Sequence, residues 1–309
     1  MPPRPERGPR AGRAAERTVG ALLCEAGARL RQAGVAEPRR EARLLLGLAL
    51  GCDASALVAA AREPVAEAAA ARFRGLLRRR AAREPFAHLS GRRGFWTLDL
   101  IVSPAVLVPR PETETLIEAA LALRPDRATV RRIADLGTGS GALLLAALVE
   151  YPAAYGVGVD CSAAALEVAR RNAHASGLAP RAGILAGEWS AAVASGSIDL
   201  LLCNPPYIPT AQIASLEPEV RDHEPRAALD GGPDGLAAYR ALLPDLPRVL
   251  APRGIAILEV GQGQAEAVAE LGTAAGLALV EMRQDLGGIA RALAFGNAEK
   301  GVGARGSSD

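Results

Sequence analysis

Lysine, aromatic residues and histidine are scarce in this 309-residue sequence: Lys300 is the only lysine, Phe, Trp and Tyr together make up 3%, and there are three histidines. Positive charge is carried by arginine, and the abundance of Arg, Ala, Gly and Pro reads as a GC-rich coding bias rather than as arginine chosen for phosphates. With 36 Lys+Arg against 34 Asp+Glu the formal charge is +2, so there is no global basic field for nucleic acid and any partner must be recognised locally. The four cysteines, Cys24, Cys52, Cys161 and Cys203, are scattered, with no Cys-x-x-Cys and no histidine at ligand spacing. That excludes a zinc motif, and reduced core thiols and no metal are expected. No apolar run reaches about 18 residues, and the Arg- and Pro-rich start leads into no apolar core. Neither a membrane span nor a secretory signal is expected, which points to the cytoplasm.

What is present falls into zones. Residues 1–15 and 297–309 are Pro, Arg, Gly, Ser and charge, too polar to offset their ordering entropy, and are expected to be disordered tails. Val19, Leu22, Leu23, Ala26 and Leu30 recur at helical spacing, as do Leu44, Leu45, Leu48 and then Phe73, Leu76, Leu77, with Pro38 and Pro64 near helix starts. Residues 16–84 therefore predict a helical bundle. Its Arg-rich faces are solvated surface or, alternatively, a docking face for a macromolecule. Over 85–110 the glycines Gly91 and Gly94 and the period-two alternation Trp96, Leu98, Leu100, Val102 predict a linking β-hairpin, with His88 structural. Pro111 opens a helix whose acids Glu112 and Glu114 suit its dipole, while Arg110 between two prolines is a candidate to face a site.

From Arg132 apolar runs alternate with helical stretches: Ile133–Asp135, Gly156–Asp160, Ile184–Leu185, Ile198–Cys203 and Gly254–Val260, with Leu277–Met282 and Ala290–Phe295 closing the series. This alternation predicts an α/β fold over 111–296, a Rossmann-like, seven-stranded, mostly parallel sheet. Gly137, Thr138, Gly139, Ser140 and Gly141 lie between the first strand and its helix, where backbone can press against a ligand, and Asp160 ends the next strand, placed to accept both hydroxyls of a ribose. That loop alone does not separate a nicotinamide dinucleotide from S-adenosylmethionine.

The segment Asn204-Pro205-Pro206-Tyr207 decides between them. Two prolines cannot continue the buried strand before them, so Asn204 stands at its carboxyl end, where open α/β sheets bind ligands. The stiff turn offers the Asn204 amide oxygen and the Pro205 carbonyl as acceptors, restrained by Pro206, with the Tyr207 ring beside them. Such a site suits a planar –NH2 group. A hydride-transfer enzyme has no use for it, whereas a methyltransferase acting on an amide nitrogen does, and no general base is needed before transfer.

In motif order over residues 84–295 the chain resembles the bacterial release-factor glutamine N5-methyltransferase family. The resemblance rests on Glu84-Pro-Phe-Ala-His-Leu-Ser-Gly91, Val108-Pro-Arg-Pro-Glu-Thr-Glu114, Asp135-Leu-Gly-Thr-Gly-Ser-Gly141, Asn204-Pro-Pro-Tyr207, Glu224-Pro-Arg-Ala-Ala-Leu229 and Gly231-Gly-Pro-Asp-Gly235. It implies S-adenosylmethionine as cofactor, held by Gly137 to Gly141, Asp160, Trp189 and Asn204. It implies as substrate the glutamine of the Gly-Gly-Gln motif of class I release factors, held by Asn204, Pro205, Pro206 and Tyr207, with Asn204, Pro205 and Tyr207 catalytic. The helical bundle would then recognise the release factor. Where relatives commonly have Asp before the aromatic, this chain has Glu188-Trp189, and Trp189 is expected to stack near the cofactor. A monomer without a stable nucleic-acid partner is expected; the rival is an adenine-N6 or cytosine-N4 nucleic-acid methyltransferase, since the same acceptors suit the amino group of a flipped base.

Overall fold

A computed structural model describes residues 18–298 and divides the chain into two compact units, meeting between Ser90 and Gly91. Residues 1–17 and 299–309 lie outside the described residues, so most of both expected tails does too; Asn297, assigned to the second tail, closes the last strand.

The first unit is helical: α1 (Val19–Gln32), α2 (Pro38–Leu50), α3 (Glu67–Ala81) and the short α4 (Phe86–Ser90). Thr18 caps α1 by accepting the Ala21 N–H, and Pro38 occupies the first turn of α2, where no backbone donor is lost. The core is Val19, Leu22, Ala26, Leu30, Ala42, Leu45, Leu46, Phe73 and Leu77. On α2 the inward positions Ala42, Leu45, Leu46 and Ala49 follow helical spacing, so the expected Leu48 is exposed and Leu44 only half-buried; three consecutive leucines leave the phase open. Pro64 lies three residues before α3, near a helix start as expected, and bridges to Thr18. Arg80 is buried and pairs with Glu41 of α2 at 3.0 Å.

The second unit opens with an antiparallel hairpin of β1 (Arg92–Phe95) and β2 (Leu98–Ile101). The hairpin is thus shorter than the expected 85–110. Residues 86–90 are helical because Pro85 presents its carbonyl to the His88 and Leu89 N–H groups, and Gly91, at φ +69°, ends the turn in a conformation a side chain would disfavour. After α5 (Glu114–Leu123) come β3 (Arg132–Leu136), α6 (Ala142–Glu150), β4 (Tyr155–Asp160), α7 (Ala163–Ala175), β5 (Ala182–Ala186) and β6 (Ile198–Cys203). The short helices α8 (Pro218–Arg221), α9 (Ala237–Leu242) and α10 (Leu246–Val249) lead to β7 (Leu250–Glu259), α11 (Ala265–Ala274), β8 (Leu277–Gln284) and β9 (Ala290–Asn297).

The seven strands β3 to β9 form one sheet in the order β5-β4-β3-β6-β7-β9-β8, parallel except where β9 runs antiparallel between β7 and β8. Both faces are covered, which explains the unbroken apolar runs. Leu200 and Leu202 of β6 pack with Leu116, Ile117 and the leucines of α6, while Leu201 and Cys203 pack with Tyr239, Leu246 and Val268 opposite. Burying each such leucine contributes roughly 1.5–3 kcal/mol. Three of the cysteines expected as core thiols, Cys24, Cys52 and Cys161, are exposed, and only Cys203 is buried. Among the described residues no helix is long and apolar enough to cross a membrane. Strand order reverses between β3 and β6, and that reversal opens a crevice beyond their carboxyl ends.

Candidate active site

A cavity of about 380 Å³ occupies that crevice. Its wall includes the whole loop Gly137 to Ser140, Asp160, Glu188, Trp189, Asn204 and Pro206, so two motifs some 65 residues apart in sequence share one space. Gly141 begins α6 just behind it at φ +82°, and Gly137 and Gly139 also hold positive φ, which is why three glycines recur here. Pro205 is buried and Tyr207 half-buried, and neither belongs to the cavity wall.

Asp160 ends β4 with both carboxylate oxygens engaged: Oδ2 accepts the Gly139 N–H at 2.9 Å and Oδ1 the Ser162 N–H at 2.8 Å. A carboxylate has about four acceptor positions, so one on each oxygen remains for a vicinal diol. The Thr138 hydroxyl turns inward, donating to Asp135 Oδ2 at 2.7 Å, and the Ser140 carbonyl accepts from Asn172 at 2.8 Å. Trp189 is held at φ +46°, unusual for an aromatic residue. The following residue fixes it: the Ser190 hydroxyl donates to Asp245 and the Ser190 carbonyl accepts from Arg248.

Around Asn204 the side chains form a chain of hydrogen bonds. Asn204 Nδ2 donates to Thr113 Oγ1 at 3.1 Å, Thr113 donates to Glu259 Oε2 at 2.6 Å, and the Tyr207 hydroxyl donates to Glu259 Oε1 at 3.2 Å. Gln264 fixes the Tyr207 carbonyl at 2.9 Å, and Ile208 bridges to Asp230, so the segment after Leu229 clamps the turn. Burial raises the Glu259 carboxyl to about 7, with Thr113, Tyr207 and Arg291 opposing the shift, and it pushes the Tyr207 phenol up as well. Burial also raises Asp135 to about 7 against its bonds from Thr138 and the Leu144 N–H.

Thr113, Asp135 and Glu259 are site residues the sequence reading did not single out; the available signal was an acid inside each of two apolar strands. Arg110 does line the cavity and pairs with buried Glu224 at 2.5 Å, whereas Glu112 is exposed and off the wall. Glu114 does more than suit a dipole, because it accepts the Trp96 N–H in the hairpin turn at 2.8 Å.

Comparison with known proteins adds to this geometry. The family described as the PrmC N-terminal domain matches residues 21–91, and the Methyltransferase small domain matches 113–216. A Release factor glutamine methyltransferase of Rhodospirillum rubrum is 48% identical over 275 residues, covering 89% of this chain and 84% of the relative. One of Bradyrhizobium diazoefficiens is 51% identical over 269 residues, covering 86% and 90%. Among solved structures, the catalytic domain of hMettl16 aligns over 66% of this chain and 76% of that one at a TM-score of 0.53 and 16% identity, a likeness of fold alone. On the extent of the sequence identity, the chain belongs to the release factor glutamine methyltransferase family.

Proposed function

We propose that this protein transfers a methyl group from S-adenosylmethionine to the side-chain amide nitrogen of the glutamine in the Gly-Gly-Gln motif of peptide-chain release factors. The observation that carries the reading is Asn204 at the carboxyl end of β6, on the wall of the cavity that also holds the glycine loop and Asp160. The residues present fit the cofactor: the Gly137 to Gly141 backbone allows close approach, Asp160 keeps two acceptor positions for a ribose, and Trp189 offers a flat face. When bound, S-adenosylmethionine supplies a methyl on a sulfonium.

The chain's own contribution is alignment. An amide nitrogen shares its lone pair with the carbonyl strongly enough to give a rotation barrier of about 18–20 kcal/mol, so it is a weak nucleophile. The Asn204 oxygen and the Pro205 carbonyl accept its two hydrogens, Pro206 and Tyr207 hold the turn that carries them, and these bonds favour a less planar nitrogen. The proton leaves once the nitrogen is methylated. Arg-rich helices of the first unit recognise the body of the release factor. The enzyme works as a monomer in the cytoplasm without a stable nucleic-acid partner, a reading supported by a near-balanced charge and by one chain carrying every named residue.

Labelled methyl transfer to purified release factor tests the reading. The expected result is label on the Gly-Gly-Gln glutamine and none on DNA or RNA; label on a nucleic acid alone would overturn it.

A further inference from the structure

Asparagine presents a nearly symmetrical end: oxygen and nitrogen are of similar size, and which of them faces a ligand is set by what the other one meets. If Asn204 is to accept from a substrate amide, as the proposed function requires, something must hold its nitrogen the other way. A lone asparagine after a strand has no means of doing so.

The hydrogen-bond chain around Asn204 supplies that means. Glu259 ends β7, and Cys203 and Leu258 are the last registered pair of β6 and β7, so Asn204 and Glu259 are neighbours one step beyond it. Glu259 is 1% exposed and accepts the Thr113 hydroxyl at 2.6 Å. A hydroxyl has one hydrogen, so once it is committed to Glu259 the Thr113 oxygen can only accept. The group that meets it is Asn204 Nδ2, at 3.1 Å. Polarity therefore runs one way, from amide to hydroxyl to carboxylate, and the amide oxygen is left to face away from Thr113. The same carboxylate takes the Tyr207 hydroxyl on its other oxygen, and the Glu259 carbonyl accepts the Tyr239 hydroxyl at 2.8 Å, so the acceptor is itself anchored.

We propose that Glu259 is a positioning residue for methyl transfer, dictating through the Thr113 hydroxyl which end of the Asn204 amide faces the substrate. The proposal rests on the reading of Asn204 as acceptor of the glutamine N–H. Glu259 touches neither substrate nor cofactor in this role; it removes the alternative in which Asn204 presents two donors to a group that is itself a donor. Thr113→Val has nearly the same shape but no hydroxyl, and Thr113→Ser restores the hydroxyl without the methyl.

A double-mutant cycle with single-turnover kinetics at saturating cofactor tests it. Thr113→Val is expected to slow transfer roughly three- to tenfold, the range of one net hydrogen bond, with KM for the release factor and Kd for S-adenosylmethionine unchanged. Thr113→Ser is expected to recover most of the rate. Glu259→Gln, checked for folding by thermal unfolding, should fall with Thr113→Val. In an Asn204→Ala background neither substitution should slow transfer further, because there is no amide left to orient. If Asn204→Ala is slow and Thr113→Val slows it again by the same factor, the orienting role is overturned while Asn204 keeps its own. If Asn204→Ala transfers at the unsubstituted rate, both the role of Asn204 and this inference fall.

Discussion

Replacing Asp160 with alanine tests two functions of one carboxylate separately. Without ligand, Asp160 bonds the Gly139 and Ser162 N–H groups, both partly buried, so the substitution leaves two backbone donors to find water. At the low end of about 1–3 kcal/mol for each unsatisfied group, the loss is about 2 kcal/mol. For a unit of this size, at about 2–4 °C per kcal/mol, the apo protein should melt about 4–8 °C lower. With ligand, two ribose hydroxyls would lose a charged acceptor. At about 1.5–3 kcal/mol each, and about 1.36 kcal/mol per decade, affinity should fall roughly a hundredfold to ten-thousandfold. Isothermal titration with S-adenosylmethionine gives the second quantity and calorimetric melting without ligand the first. A variant that melts lower but keeps its affinity within about twofold would refute the ribose role and leave Asp160 as a clamp between the glycine loop and the start of α7.

Two further predictions concern pH and partner. As pH falls through about 7 the Glu259 carboxyl gains a proton, Thr113 is no longer held as a donor to it, and the transfer rate should decline; Glu259→Gln should flatten that limb. Thr113, Tyr207, Arg291 and Glu112 are the groups that face it. Its effect on stability has the opposite sign: a pKa raised in the folded state from 4.5 to about 7 means folding takes up a proton, so its contribution declines as pH climbs through that window. Urea titrations of Glu259→Gln against the unsubstituted protein should show the smaller slope in the variant, with Asp135 sustaining what remains. On α2, Arg39 and Arg43 are exposed one turn apart, and changing both to Glu should raise KM for whole release factor severalfold while leaving methylation of a short Gly-Gly-Gln peptide unchanged. Equal loss on both substrates would make that face solvated surface.

Much of the sheet and part of the site were legible because their signals are local. A buried strand cut off by Pro205 and Pro206, or glycines between a strand and a helix, can be read within a few residues. Asp160 was legible as the acid at the end of its strand, but its grip on Gly139 was not, since that bond joins a strand end to a loop twenty-one residues away. The orienting chain was less accessible still: Thr113 meets Asn204 across 91 positions and Glu259 across 146, and no periodicity encodes such a meeting. The phase of α2 failed for a different reason, because Leu44, Leu45 and Leu46 satisfy more than one face and only the packing partners choose.

The place of β9 has a consequence for synthesis. Among the described residues it is the last strand in sequence, yet it lies inside the sheet, and Glu259 pairs with Ala292 across it. While the ribosome has still to deliver residues 290–297, β7 carries an open edge of the kind that invites pairing with other chains, and Glu259 lacks the neighbour that buries it. A nascent chain can thus display every motif from Glu84 to Gly235 and still lack a finished site. In an enzyme whose substrate ends translation, the site is complete only after residues 290–297 have joined the sheet.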